Sequence, residues 1–509
     1  MRERFDIVVV GAGSAGSVVA ARASENPALS VLLIEAGPDY ALGTAVPEDL
    51  RNGHHNSVVD HDWGLDYQPN SSGRPQTLPR GRVTGGSSAV NTAIALRPVP
   101  EDHDGWGFPE WSWAAMEPVY RRLERDLDFG DQPHHGDAGP ILIRRYPRPE
   151  LAATHAAFLD AAAHLGWPTC PDANHPSDWG AGPQPMNKLG QLRVSTAMGY
   201  LAPARSRSNL VIRGDTSVRR IMFDGRRARG VEVLSATGEV ETIEAGVVVV
   251  SCGAILSPGL LLRSGIGRRA ELDRLGLDAV ATMEGVGAHL SDHPAFAVLC
   301  EPTDAALVDF DGPIIQTILR HTTEGSDQRM DAQVELLSFF MRTKQDPPMF
   351  ALAAVLEQCY SEGELIHTSA DVDARPQITS RFCADERDAR RLVRIIDDAF
   401  AFTAAPPLRD LIRAVRHPDP QRWSQMTIGE RVERVRRTAA SGYHPCGTLR
   451  MGEVVDSRGR CLAVDGLVVA DASIFPTVPR ANTNLCSIAV GERIGEWVRT
   501  EPGRYGLAS

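Results

Sequence analysis

Near its start the chain carries an apolar run rich in β-branched residues, Phe5-Asp6-Ile7-Val8-Val9-Val10, closed by Gly11. A short run of this kind, bounded by glycine, predicts a buried strand. Ser14 to Glu25 has small residues and no proline, which predicts a helix, and Val31-Leu32-Leu33-Ile34 predicts a second strand. The alternation continues downstream. Tryptophans, Met116, Val119 and Tyr120 recur at helical spacing between Glu110 and Asp128, and Leu151 to Leu165 is alanine-rich and helical. Leu210 to Leu234 has strand character with a turn at Asp224-Gly225-Arg226. Val247-Val248-Val249-Val250 is a continuous strand run leading into Ser251-Cys252-Gly253-Ala254. An arginine-rich helix is predicted around Arg387 to Phe402, a short strand at Leu467 to Asp471 and a helix from Thr483 to Val498. Residues 130–145, rich in Gly, Pro and His, read as a surface excursion.

The first strand runs into Gly11-Ala12-Gly13-Ser14-Ala15-Gly16, and the second ends in Glu35-Ala36. Strand, glycine turn, helix, strand and acid come in the order that a dinucleotide needs. Gly11 makes the tight turn, Gly13 lets backbone N–H groups approach a pyrophosphate, and Gly16 packs helix on strand. The helix N-terminus favours the phosphates, and Glu35 would accept a hydrogen bond from a ribose hydroxyl. NAD and FAD both use this motif, so it leaves the choice open.

At 509 residues the chain is too long for one compact core. Lys plus Arg total 53 against 65 Asp plus Glu, a net charge of −12, which argues against nucleic acid as partner. No apolar run is long enough to span a membrane. The N-terminus enters the first strand with no room for a cleavable leader. Eight scattered cysteines without a C-x-x-C pair fit reduced thiols and neither a disulfide framework nor a zinc site. The expectation is a soluble cytoplasmic enzyme without a metal.

The nucleotide-type segments sit at the start, middle and end of the chain, whereas about 295 to 440 carries no nucleotide signal. That suits an elongated cofactor such as FAD better than NAD on one contiguous domain. Near the end stand Ser441-Gly442-Tyr443-His444-Pro445-Cys446-Gly447-Thr448 and Pro479-Arg480-Ala481-Asn482-Thr483-Asn484. A hydroxyl is a poor acid, so its oxidation needs a base within hydrogen-bond reach, and His444 has the ordinary pKa of about 6.5 that suits one. Asn482 can orient the same oxygen without competing for the proton. Cys446 and Cys486 read as small buried apolar residues. Trp106, Trp111 and Trp113 read as packing, and His54, His55, His61, His103, His134 and His135 as loop residues with no metal-ligand spacing.

Over nearly its whole length the chain resembles the glucose-methanol-choline (GMC) oxidoreductases. The residues that carry the likeness are the glycine motif, Arg82 to Asn91 with Gly85-Gly86-Ser87-Ser88, Gly253 to Gly267, and His444 with Asn482. The resemblance implies an α/β fold: a Rossmann-like FAD domain (glutathione-reductase-like) built from 1–155, 200–295 and 440–509. It also implies an α+β substrate domain with an antiparallel sheet from 156–199 and 296–439. It implies further that His444 and Asn482 are catalytic, and that Gly11, Gly13, Ser14, Ala15, Gly16, Glu35 and Ala36 hold the adenosine and pyrophosphate. Arg82, Val83, Gly85, Gly86, Ser87 and Asn91 would lie along the pyrophosphate and flavin. Val218 would meet the adenine through its backbone, Asp471 and Ala472 the ribityl-phosphate region, and Thr483 the pyrimidine edge.

Val90 stands where members with covalently attached flavin carry histidine, which implies non-covalent FAD. The implied reaction oxidises a small-molecule alcohol to an aldehyde or ketone. The acceptor is O2 or another electron carrier, as in the mycofactocin-linked dehydrogenases. The alternative is a flavin-containing hydroxynitrile lyase of the same fold.

Overall fold

The computed structural model describes residues 3–41, 45–57, 59–70, 74–340 and 347–507. Four parallel strands form one side of the first sheet, in the order Leu210–Arg213 at the edge, Val31–Ile34, Glu3–Val10 and Val240–Val250. The long strand Val240–Val250 shares its far edge. Its first half pairs antiparallel with Arg227–Ser235, whose hairpin partner is Thr216–Asp224, and its last three residues pair parallel with Leu467–Val469. Ile7, Val8, Val9 and Val247 to Val250 are almost fully buried, as expected for parallel strands covered on both faces.

The predicted first helix is shorter than its sequence pattern, Gly16–Ala23, because Ser14 and Ala15 remain in the turn. The last helix, Thr483–Thr500, packs directly on it. A methyl built at Gly491 or Gly495 would meet Ala15 or Val19 backbone at 2.6 to 3.4 Å, so both glycines permit the close approach. Fully buried Glu492 accepts from Arg22, Arg122 and the Tyr200 hydroxyl, tying three segments to this helix.

A second sheet is antiparallel throughout: Ile412–His417, Pro294–Pro302, Phe350–Leu356, Ala332–Leu337, Thr317–His321 and Gly180–Pro183. The amphipathic helix Glu386–Ala404 covers one face of it. Strand Ala440–Ser441 joins its edge beside Pro294–Pro302, so the chain leaves this sheet just before His444. The 130–145 excursion is less superficial than its composition predicts. Ile141–Ile143 is a buried strand paired with Glu124–Asp126, and His135 is 3% exposed.

Candidate active site

The carboxyl ends of the parallel strands converge on one cavity of about 1310 Å³, bordered by Val10, Ile34, Ser251 and Asp471. Gly11 has φ +97°, and its N–H donates to Ile34 O at 2.8 Å, which turns the chain from strand to helix. Glu35 accepts from Ala12 N and Gly37 N, each at 2.9 Å, and burial raises its pKa to about 7. The Arg82–Asn91 segment comes in from above: Gly85 N donates to Ala12 O at 2.7 Å, and Gly86 lies against Gly13. Asp471 accepts from Gly253 N and Ser257 Oγ on one oxygen and from Ser473 N on the other, joining the middle and final segments.

Most residues expected from sequence reach this cavity. Gly11, Gly13, Ser14, Ala15, Glu35, Ala36, Gly86, Ser87, Asn91, Val218, Asp471, Ala472 and Thr483 line it, as do His444 and Asn482. Four stand behind the lining. Gly16 is a packing glycine, since a methyl there would sit 1.9 Å from Gly11 O. Gly85 and Val83 support the turn, and the Arg82 guanidinium stacks over Trp63 at 4.9 Å.

At the other end of the cavity a chain of hydrogen bonds organises His444. Nδ1 of His444 is 2.9 Å from Nδ1 of His293, whose Nε2 donates to Pro479 O at 2.9 Å. Burial lowers the His293 pKa to about 4, so its ring is neutral. With its hydrogen on Nε2, its Nδ1 must accept, and His444 must donate from Nδ1. The lone pair of His444 is thereby placed on Nε2, where Asn482 Nδ2–H donates to it at 2.9 Å. Burial first, then the neighbouring His293 ring and the Arg80 charge, holds the His444 pKa well below its ordinary value.

Asp292 fixes the loop: Oδ1 accepts from His293 N and His444 N, and Oδ2 accepts from Ser441 Oγ at 2.5 Å. Tyr67 Oη accepts from Ser441 N, and Tyr443 takes the left-handed φ of +68°. Sequence reading missed His293, Asp292 and Tyr67. An Asp-His-Pro triplet following a glycine turn was the available signal for the first two, but nothing in it says which partner it meets.

Cys446 and Cys486 are buried, and burial pushes both thiols up, Cys486 to about 12. Trp106 and Trp111 are core residues, whereas His103, expected in a loop, is buried in the helix Pro100–Gly105. Among the described residues Glu124, Asp126 and His135 bring ligand atoms within 4.8 Å of one another. Arg97 and Arg145 already occupy those carboxylates, and their charge opposes a cation there.

A family profile described as GMC oxidoreductase matches residues 5–295, and a second so described matches 359–491. The chain belongs to the GMC oxidoreductase family. It is similar to 5-(hydroxymethyl)furfural oxidase of Methylovorus sp. (strain MP688), 33% identical with 98% of this chain and 99% of that protein covered. It is also similar to choline oxidase of Arthrobacter globiformis, 33% identical over 97% and 94% of the two chains. The crystal structure of pyridoxine 4-oxidase superposes with a TM-score of 0.89 at 28% identity, covering 96% of this chain and 98% of that one.

This GMC enzyme is an FAD-dependent alcohol oxidoreductase. Its cavity suits that cofactor on its own terms. A methyl at Gly13 would meet nothing nearer than Ser251 O at 3.9 Å, so backbone is open to the cavity there, the 18-residue helix Thr483–Thr500 points its N-terminus inward, and Asn484 Nδ2 is buried without a partner. No helix among the described residues is long and apolar enough to cross a membrane.

Proposed function

We propose that this enzyme oxidises a primary or secondary alcohol to the aldehyde or ketone, with His444 Nε2 taking the hydroxyl proton. The observation that carries this reading is the tautomer chain, which leaves the Nε2 lone pair as the one basic position His444 offers beside Asn482. An incoming hydroxyl would donate to His444 Nε2, and its oxygen would accept the Asn482 Nδ2–H that occupies the lone pair in its absence. That exchange keeps Asn482 satisfied and aligns the O–H bond with the base. As His444 gains its proton, its Nδ1–H bond to His293, anchored on Pro479, holds the ring in place.

The glycine turn with Ser14 and Ala15, Glu35 with Ala36, and the 82–91 segment would hold the adenosine and pyrophosphate side of FAD, with Val218 at the adenine. Asn91, Asp471, Ala472 and Thr483 would hold its flavin side. Bound FAD supplies the hydride acceptor for the alcohol carbon. Val90 lines the cavity and offers no nucleophile, which supports non-covalent FAD. We assign the cofactor to 1–155, 200–295 and 440–509 and the substrate to 156–199 and 296–439, in a cytoplasmic enzyme that passes its electrons to O2 or to a carrier.

The test is anaerobic mixing of the purified yellow protein with an alcohol panel, followed at the oxidised-flavin band. Bleaching by an alcohol is expected, and admitting air then separates a rapid oxidase from a dehydrogenase. Cyanohydrin cleavage without any bleaching would replace this reading with a lyase.

A further inference from the structure

One face of the antiparallel sheet forms a wall of the cavity. Its register sets two successive rows, Ala295, Val355 and Gln333, then Ala297, Ala353 and Glu335, and His293 lies beside Glu357 just before the first of them. Two polar side chains, Gln333 and Glu335, therefore point from a strand pair that is otherwise apolar, and Glu357 adds a third just past the end of Phe350–Leu356. Glu335 is 8% exposed, Gln333 2% and Glu357 1%. Among the described residues, Glu335 Oε1, Gln333 Nε2 and Glu357 Oε2 have no hydrogen-bond partner.

The two carboxyls are in different situations. Glu357 lies 3.6 Å from His293 Nδ1 and feels the charge of Arg320. Among the described residues no counter-charge acts on Glu335, and burial alone raises its pKa to about 7. Its surroundings in the cavity are Ala297, Ala353, Leu337 and Phe339. A carboxyl facing a large cavity without a partner is costly to keep unless something that enters the cavity satisfies it.

We infer that Glu335 is a recognition site for the protonated primary or secondary amine of the substrate, an amino alcohol whose hydroxyl reaches His444. This rests on the reading of the site given above. An ammonium N–H would satisfy Glu335 Oε1 and compensate its charge, a pairing stronger than a neutral hydrogen bond. A quaternary ammonium has no N–H to give to Glu335 Oε1. Glu335 lies two rows beyond His293, about 13 Å along the strands, and two strands across from it, about 10 Å at the usual spacing. The hydroxyl and the nitrogen are therefore separated by an extended apolar spacer of several carbons, which the Ala297, Ala353 and Leu337 wall accommodates.

The experiment compares 6-aminohexan-1-ol with its neutral analogue 1-heptanol, with 1,6-hexanediol and with choline, in the flavin-loaded wild type and Glu335→Gln. The wild type is expected to favour the amino alcohol over 1-heptanol in kcat/KM by at least tenfold, with choline poor, and E335Q to reduce that ratio at least tenfold. Hexylamine, which has no hydroxyl, is expected to perturb the flavin spectrum of the wild type at lower concentration than that of E335Q. Equal preference for heptanol, or equal use of the diol and the amine, would overturn the inference, as would hexylamine binding unaffected by E335Q. Failure of every alcohol to bleach the flavin would count against the proposed reaction, while hexylamine binding would still report on Glu335.

Discussion

Nδ1 of His293 stands 2.9 Å from Nδ1 of His444, and because His293 spends its own hydrogen on Pro479 O, the contact decides which nitrogen of His444 is basic. Replacing His293 by Ala removes the acceptor and frees His444 to place its hydrogen on Nε2. It also leaves the Pro479 carbonyl without its donor. The unpaired carbonyl costs about 1–3 kcal/mol of stability, and the loss of the productive His444 tautomer should lower kcat roughly ten- to a hundredfold. The readout is steady-state kinetics: a KM change with intact kcat would assign His293 to substrate binding instead.

His444→Ala should retain flavin and lose the base. The rate of anaerobic flavin reduction should drop by about 10²–10⁴. Stopped-flow absorbance measures it, with the oxidised spectrum as the control that the cofactor is still seated. A rate within a factor of a few of the wild type would remove His444 from its role.

The same histidine sets a pH expectation. Its folded-state pKa lies well below the ordinary value, owing first to burial. It therefore stays unprotonated where a free imidazole is already half charged, at about 6.5. The acidic limb of kcat/KM is expected below that pH, and a limb at or above it would contradict the environment described. The sign for stability runs the same way. The unfolded chain binds a proton that the folded chain does not, so this contribution is complete above the unfolded pKa and is lost as pH falls towards the folded one.

Gly86 has φ +51°, and a methyl built on it would lie 2.5 Å from Gly13 Cα. Two backbone segments that line the cavity would have to separate. Gly86→Ala is expected to purify with little flavin, read from the ratio of flavin to protein absorbance. Full flavin content would mean that the 82–91 segment does not press against the glycine turn as described.

Val90 carries no group that can bond a flavin. Acid precipitation of the holoenzyme should leave the yellow colour in the supernatant, and colour retained in the pellet would contradict dissociable FAD.

The cofactor end was legible in the sequence because its information is local. Gly11 to Gly16, Glu35 and Asp471 each sit at a strand's carboxyl end, and a strand followed by a glycine turn announces itself within a few residues. His444 and Asn482 were picked out for a related reason, since each stands in a short motif that matches a family pattern, and the structure brings the two side chains together in the cavity. Helix and strand positions in the cofactor-binding segments also followed from periodicity, with differences at ends such as Gly16–Ala23, two residues shorter at each end than the pattern, whereas the strands of the second sheet were not located.

What only the tertiary structure decided was pairing between distant segments. The orientation of His444 depends on His293, 151 residues earlier, and on a carbonyl at Pro479. In the sequence Glu335 is one acid among many in the stretch from about 295 to 440. Its meaning comes from the register that sets it beside Ala353 and Ala297 on a cavity wall. Likewise His135, one histidine among several in a polar stretch, is held by three carboxylates and raised to about 10, because Glu124, Asp126 and Asp172 fold around it. Periodicity reports which face of a strand is buried. It carries no information about which side chain from another segment meets that face, and burial, hydrogen bonding and pKa all depend on that meeting.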